Sequence, residues 1–183
     1  EFYVEGDPRP YKGWKEDGHG KVDLEKAIVE SSDVYFYSTA YDLTIKKLEP
    51  FLKKFGFGSK TNIDAEESNG LVPNEKWKLG YIGEFWFKGD SINLGIGQGY
   101  MLSTPIQISQ AIAVIANRGE IIKPRLVEEI DELPTELKSL GKINLKDETN
   151  WEKIEKSMIE VIDSSNGTAN NIKDTRYVIA GKT

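Results

Sequence analysis

The sequence has no cysteine, only one histidine, and no uninterrupted apolar stretch of the length a membrane-spanning helix needs, roughly 18 to 20 residues. Without cysteine there is neither a disulfide nor thiolate chemistry, an absence that suits oxidising and reducing compartments equally. The longest apolar stretch, Ile106 to Ala116, is broken by Gln107, Ser109 and Gln110, so no membrane span is expected. Positive charge is also short: 24 Lys and Arg stand against 30 Asp and Glu, for a net charge of −6. No basic stripe is present to neutralise a phosphate backbone, which excludes nucleic acid as an expected partner.

What remains is 183 residues, 38% hydrophobic and 30% charged, enough for one globular domain or a large part of one. The chain begins without an initiator methionine and stops at Ala180-Gly181-Lys182-Thr183, directly after an apolar run. Such ends read as cuts through a longer protein. Residues 1–20 carry Gly6, Pro8, Pro10, Gly13, Gly18 and Gly20, a turn-rich composition that predicts a loop. Residues 21–127 read as a helical core, 128–150 as a polar, charge-mixed excursion or hairpin, and 151–183 as a helix followed by a strand.

Within the core, Asp23 is a candidate N-cap for a short helix, and Ser31-Ser32-Asp33 a turn into a second, aromatic-rich one with Tyr35, Phe36, Tyr37 and Tyr41. Ile45, Leu48, Leu52 and Phe55 form one apolar face ended by Gly56. Thr104-Pro105 starts a strongly apolar helix that should be largely buried and end near Arg118-Gly119, with Lys123-Pro124-Arg125 opening an extended segment. Trp151, Ile154, Met158, Val161 and Ile162 recur at helical spacing, and Tyr177-Val178-Ile179-Ala180 reads as a buried strand.

Two short motifs suggest chemistry: Ser31-Ser32-Asp33 between helices, and Lys182-Thr183 after the strand. Ser-x-Asp is also a common helix cap, and Lys-Thr is commoner still. Together they suit acyl transfer on a peptide ending in a carboxylate. Ser31 is the candidate relay hydroxyl, and Asp33 helps to position a catalytic lysine and the substrate. Lys182 supplies positive potential, and Thr183 donates to the terminal carboxylate. The nucleophile is missing. The single literal Ser-x-x-Lys, Ser139-Leu140-Gly141-Lys142, contains a glycine where one turn of helix is needed, so it is not assigned that role.

The blocks Gly18-His19-Gly20-Lys21-Val22, Glu30-Ser31-Ser32-Asp33-Val34-Tyr35-Phe36-Tyr37, Lys54-Phe55-Gly56-Phe57-Gly58, Gly95-Ile96-Gly97-Gln98-Gly99-Tyr100, Thr104-Pro105-Ile106-Gln107, Asn166-Gly167-Thr168-Ala169 and Ala180-Gly181-Lys182-Thr183 stand in one order along the chain. In this the sequence resembles class B penicillin-binding proteins of the penicillin-binding protein 2 type, with only residues 128–150 unmatched. The resemblance implies an α+β penicillin-binding protein/β-lactamase-like transpeptidase fold. This chain would contribute mainly the helical part plus strand(s) of the antiparallel sheet. It further implies a peptidoglycan D,D-transpeptidase that cross-links stem peptides ending in D-Ala-D-Ala through a serine acyl-enzyme, acts in cell elongation and shape, and is trapped by β-lactams. The expected location is the periplasmic side of the bacterial inner membrane, beside an MreC-like scaffold and a RodA-like glycosyltransferase. Ser31 and Asp33 fall on the family's second motif and Lys182-Thr183 on its third, with the Ser-x-x-Lys expected upstream of Glu1.

Asp33 stands where most penicillin-binding proteins have asparagine; a carboxylate only accepts hydrogen bonds whereas an amide also donates. Some relatives hold a structural zinc near the second motif through a histidine like His19, aspartates and a cysteine. Here Ser32 takes the cysteine's position and Gly13 lies near an aspartate's, so no metal or other cofactor is expected. Elsewhere the plainer readings are preferred: His19 as an exposed loop histidine, Gly95-x-Gly97-x-Gly99 and Asn166-Gly167-Thr168 as turns, and Phe85-Trp86-Phe87 as core or cleft wall. A serine β-lactamase or β-lactam sensor, and a catalytically inactive scaffold domain, remain alternatives.

Overall fold

In the computed structural model, which describes all 183 residues, the order is α1 (Leu24–Val29), α2 (Asp33–Lys54), α3 (Glu75–Tyr81), α4 (Lys88–Leu94), α5 (Pro105–Ala116), β1 (Glu120–Ile122), β2 (Glu129–Ile130), β3 (Leu133–Pro134), β4 (Ser139–Lys142) and α6 (Thr149–Asp163). Three helices begin where the sequence offers a capping side chain. Asp23 accepts from the Lys26 N–H ahead of α1, and Asn74 from the Trp77 N–H ahead of α3. Thr104 and Gln107 form a reciprocal capping box at α5, with Pro105 in its first turn. The helix α2 is interrupted at Thr44, whose φ of 59° and ψ of 165° are not helical.

The chain folds as two compact units: Glu1–Thr44, Phe87–Gln98 and Thr149–Thr183 in one, Ile45–Trp86 and Gly99–Glu148 in the other. The core of the first unit is the pair α1 and α6, which bury Ala27, Ile28 and Val29 together with Trp151, Met158, Val161 and Ile162. Each large apolar side chain removed from water there stabilises the fold by about 1.5–3 kcal/mol. Residues 1–20 form the predicted loop, pinned on itself by the bridge between Phe2 and Tyr11. Edge-to-face contacts of Tyr11 with Tyr37 and of Phe2 with Tyr41 pin it to α2, which accounts for the aromatic run on that helix. Where α4 ends, a side chain at Gly95 would place its Cβ 2.4 Å from the Ala40 Cβ, so only glycine allows that approach to α2.

In the second unit α5 leads into β1, which pairs antiparallel with β4. Between them β2 and β3 make a hairpin around Asp131-Glu132, whose φ angles of 51° and 65° are those of a type I′ turn. The polar excursion is thus a twisted hairpin carried on a short antiparallel ladder.

Three expectations are corrected. The helix α5 ends at its cap Asn117, beside the expected Arg118-Gly119, but it is not largely buried. Ile108 and Ile112 are 49% and 42% exposed, while the polar Gln107 and Gln110 face inward. Hydrogen bonding turns a glutamine inward beside the buried Ala111 and Val114: the Gln107 amide donates to the Ser59 and Asn69 carbonyls at 2.7 and 2.9 Å. The run Tyr177–Ala180 is not a buried strand, since Tyr177 and Val178 are 67% and 78% exposed and no neighbouring strand pairs with their backbone. Of the two readings of Phe85-Trp86-Phe87, core or cleft wall, core fails for Phe85 and Phe87, which lie open to solvent.

Candidate active site

The turn between α1 and α2 holds Ser31 in an unusual conformation. Its φ is 52°, in the left-handed region that a residue with a Cβ enters only when its surroundings enforce it. Those surroundings are visible. The Ser31 and Ser32 N–H groups donate back to the Ile28 and Ala27 carbonyls, and the Trp14 indole N–H donates to the Glu30 and Ser31 carbonyls at 3.1 and 3.0 Å. The buried Glu30 carboxylate is paired with Lys15 at 3.3 Å. Ser31 therefore presents its hydroxyl from a rigid corner, with Asp33 starting the first turn of α2.

The end of the chain reaches this corner by a different route. The Gly181 N–H donates to the Met158 carbonyl of α6 at 3.0 Å, which fixes the backbone next to Lys182. From there the Lys182 ammonium donates to the Ser31 hydroxyl at 2.6 Å and to the Thr183 carbonyl at 2.6 Å. Two groups 151 positions apart in sequence are in direct contact. The Thr183 hydroxyl lies 2.6 Å from the Thr168 hydroxyl.

Lys182 is held below the ordinary lysine range, first because surrounding protein displaces water from its ammonium, with the Asp33 carboxylate acting in the opposite direction. The sign of a pH effect follows. A reaction needing the cationic form falls off as pH rises through a pKa below that of a free lysine. In Asp33→Asn the opposing carboxylate charge is gone, so the alkaline limb of the pH–rate profile should move to still lower pH. An unchanged or upward-shifted limb in that variant would refute the coupling.

Chemically, the cluster sets a cation and three hydroxyls on one face, which suits an anionic, carboxylate-bearing ligand and a proton passed along hydroxyl groups. The model of the penicillin binding protein transpeptidase domain matches residues 1–183. This chain belongs to the penicillin-binding protein transpeptidase family.

Among curated members, this chain is 38% identical over 187 residues to the peptidoglycan D,D-transpeptidase MrdA of Acinetobacter baumannii, covering 100% of this chain and 28% of that protein. It is 35% identical over 187 residues to MrdA of Escherichia coli, with 99% and 30% covered. The chain thus spans under a third of the length of these relatives. Among solved transpeptidase structures, PBP2 of Pseudomonas aeruginosa superposes with a TM-score of 0.91 at 39% identity, covering 99% of this chain and 42% of that one. PBP2 of Helicobacter pylori, in a complex with MreC, gives 0.87 at 34% identity, with 98% and 33% covered. These matches carry the α+β transpeptidase fold over to this chain.

Other candidates fall into place around the site. Ser139 and Lys142 lie in β4, an extended strand, so they are not one helical turn apart; the Ser139 hydroxyl instead bonds the Glu120 carboxylate. His19 is not an exposed loop histidine: it is 8% exposed, set edge-on to Trp14, with its Nε2 buried and unpartnered. It lines a cavity of about 740 Å³ together with Ser32 and Gly13. An orphaned imidazole would suit a metal, but its neighbours do not: Ser32 brings a hydroxyl, Gly13 brings nothing, and no three His, Cys, Asp or Glu side chains converge in the chain. These residues do not make a tetrahedral zinc site.

Sequence reasoning missed Trp14 and Thr168 as parts of this site. Nothing in the order of residues links an indole at position 14 to a carbonyl at position 31. The Asn166–Ala169 turn was visible, but its hydroxyl partner was not.

Proposed function

We propose that the chain is part of a serine-type peptidoglycan D,D-transpeptidase of the penicillin-binding protein 2 branch, acting in cell elongation on the periplasmic side of the inner membrane. The observation that carries this reading is the 2.6 Å contact between the Lys182 ammonium and the Ser31 hydroxyl. In the proposed reaction a serine outside Glu1–Thr183 attacks the carbonyl of the penultimate D-alanine. A new C–O bond forms, the peptide C–N bond breaks, and the terminal D-alanine leaves with a proton on its amine. An amine of a neighbouring stem peptide then attacks the ester, gives up a proton and restores the serine.

Ser31 serves as the hydroxyl through which the leaving amine receives its proton, held in place by the donating Lys182. Lys182 also sets a positive potential for the donor's terminal carboxylate, and Thr183 donates a hydrogen bond to it. Asp33 tunes Lys182. The MrdA names of the relatives support the activity, and the Helicobacter pylori structure with MreC supports a scaffold partner of that kind. A RodA-like glycosyltransferase is the second proposed partner. No helix in this chain is long and apolar enough to cross a membrane.

The test is labelling with a fluorescent penicillin. The full-length gene product should form a covalent adduct that persists over minutes, whereas residues 1–183 alone should not label. An adduct that hydrolyses within seconds would assign the protein to the β-lactamases. Absence of any adduct on the full-length protein would leave only the scaffold reading, and labelling of the isolated chain would place the nucleophile inside it.

A further inference from the structure

The Lys182-Thr183 pair does not stand alone: the Thr168 hydroxyl lies 2.6 Å from the Thr183 hydroxyl. Thr168 is itself held from both sides. Its N–H donates to the Val29 carbonyl at the end of α1, and the next residue, Ala169, donates to the Val161 carbonyl in α6 at 3.1 Å. The preceding Gly167 passes so close to α6 that a Cβ there would sit 2.2 Å from the Val161 oxygen. The Asn170 amide adds bonds to the Ile162 and Ser164 carbonyls. This is a latch on two packed helices, and it leaves the Thr168 hydroxyl in one place.

A hydroxyl has one hydrogen to donate and two lone pairs to accept with. Two hydroxyls at 2.6 Å share one hydrogen bond, and either oxygen can be its donor while the site is empty. A carboxylate changes that, because it only accepts. If Thr183 spends its hydrogen on Thr168, it has none left for the substrate. If Thr168 donates to Thr183, the Thr183 hydrogen is free, and the first bond polarises the second.

We propose that Thr168 is a positioning residue for the carboxylate end of the substrate, fixing the chain of donation from Thr168 to Thr183 to the terminal carboxylate. This rests on the reading of Thr183 given under the proposed function. The same hydroxyl chain would receive the carboxylate of a β-lactam, which makes the proposal measurable with a penicillin.

The second-order rate of acylation by a fluorescent penicillin separates the possibilities, measured on the full-length gene product as Thr168→Val, Thr168→Ser, Thr183→Val and the double variant Thr168→Val/Thr183→Val. Thr168→Val should lower the rate on the order of fivefold, as expected for one lost hydrogen bond. Thr168→Ser, which keeps the hydroxyl, should stay within about twofold of the parent on the same scale. In the Thr183→Val background the further change to Thr168→Val should cost nothing, because its only route of action is gone.

An equal loss from Thr168→Val in both backgrounds would overturn the proposal, since a merely structural threonine acts independently of Thr183. A slow Thr183→Val beside an unaffected Thr168→Val would overturn it while leaving the function intact. If Thr183→Val itself is as fast as the parent, the reading of Thr183 fails, and this inference with it. Should Thr168→Val not fold, Thr168→Ala replaces it in the same cycle and is read the same way.

Discussion

Replacing Lys182 by methionine is expected to lower the rate of β-lactam acylation of the full-length protein by about 100- to 1000-fold, the scale on which loss of one preorganised donor is felt in acyl transfer. Methionine keeps an unbranched stem that can follow the same path over Ser31, so packing changes little. What disappears is the ammonium that donates at 2.6 Å to the Ser31 hydroxyl and faces Asp33. Arginine should recover only part of the loss. Its guanidinium keeps the charge but spreads it over a planar fork that cannot donate as a point to one hydroxyl. Acylation rates for the parent, Lys182→Met and Lys182→Arg decide the matter, and a threefold effect or less for Lys182→Met would remove Lys182 from the proposed machinery.

Ser31→Ala should lower the same rate by about 100-fold or more, within the range of a positioned proton-transfer group. The substitution is a clean one. Alanine carries the same Cβ into the same left-handed conformation, so the strain at φ 52° is unchanged and the loss reports the hydroxyl alone. Ser31→Gly provides the control: it relieves the strain and also lacks the hydroxyl, so it should be at least as stable as Ser31→Ala and equally slow. Because Ser31 and Lys182 touch, the double variant Ser31→Ala/Lys182→Met should lose much less than the product of the two single losses. A multiplicative loss would mean that the two groups act separately and that their contact has no part in the reaction.

Much of the local structure was legible in the residue order. Caps at Asp23 and Thr104 start helices where side-chain oxygens accept from free N–H groups, and such bonds span only three residues. The buried stripe of α6 follows from helical spacing, and the hairpin from a polar stretch that cannot bury itself. Reading failed where the deciding partner was remote. Gln107 of α5 is turned inward by the carbonyls of Ser59 and Asn69, 48 and 38 positions away. The helix's apolar composition pointed to a largely buried helix, yet Ile108 and Ile112 are exposed. His19 was misjudged for the same reason: two flanking glycines look like an exposed loop, but Trp14 closes over the ring.

The candidate site divides along the same line. Ser31, Asp33, Lys182 and Thr183 were identifiable from two short motifs and the order of blocks around them, because the chemistry of an anionic peptide end demands those residue types. Their meeting was not in the motifs. It depends on α1 packing against α6, on Trp14 and the turn N–H groups forcing Ser31 into a left-handed corner, and on Gly181 hydrogen-bonding the Met158 carbonyl. Residue order by itself determined which chemical groups this protein has and which helices they sit beside, since capping and periodicity are local interactions. Only the tertiary structure decided that the Lys182 ammonium reaches the Ser31 hydroxyl and that Thr168 stands behind Thr183. Hydrogen bonds of that kind need positions within a few tenths of an ångström, and only the packing of remote elements sets distances that finely.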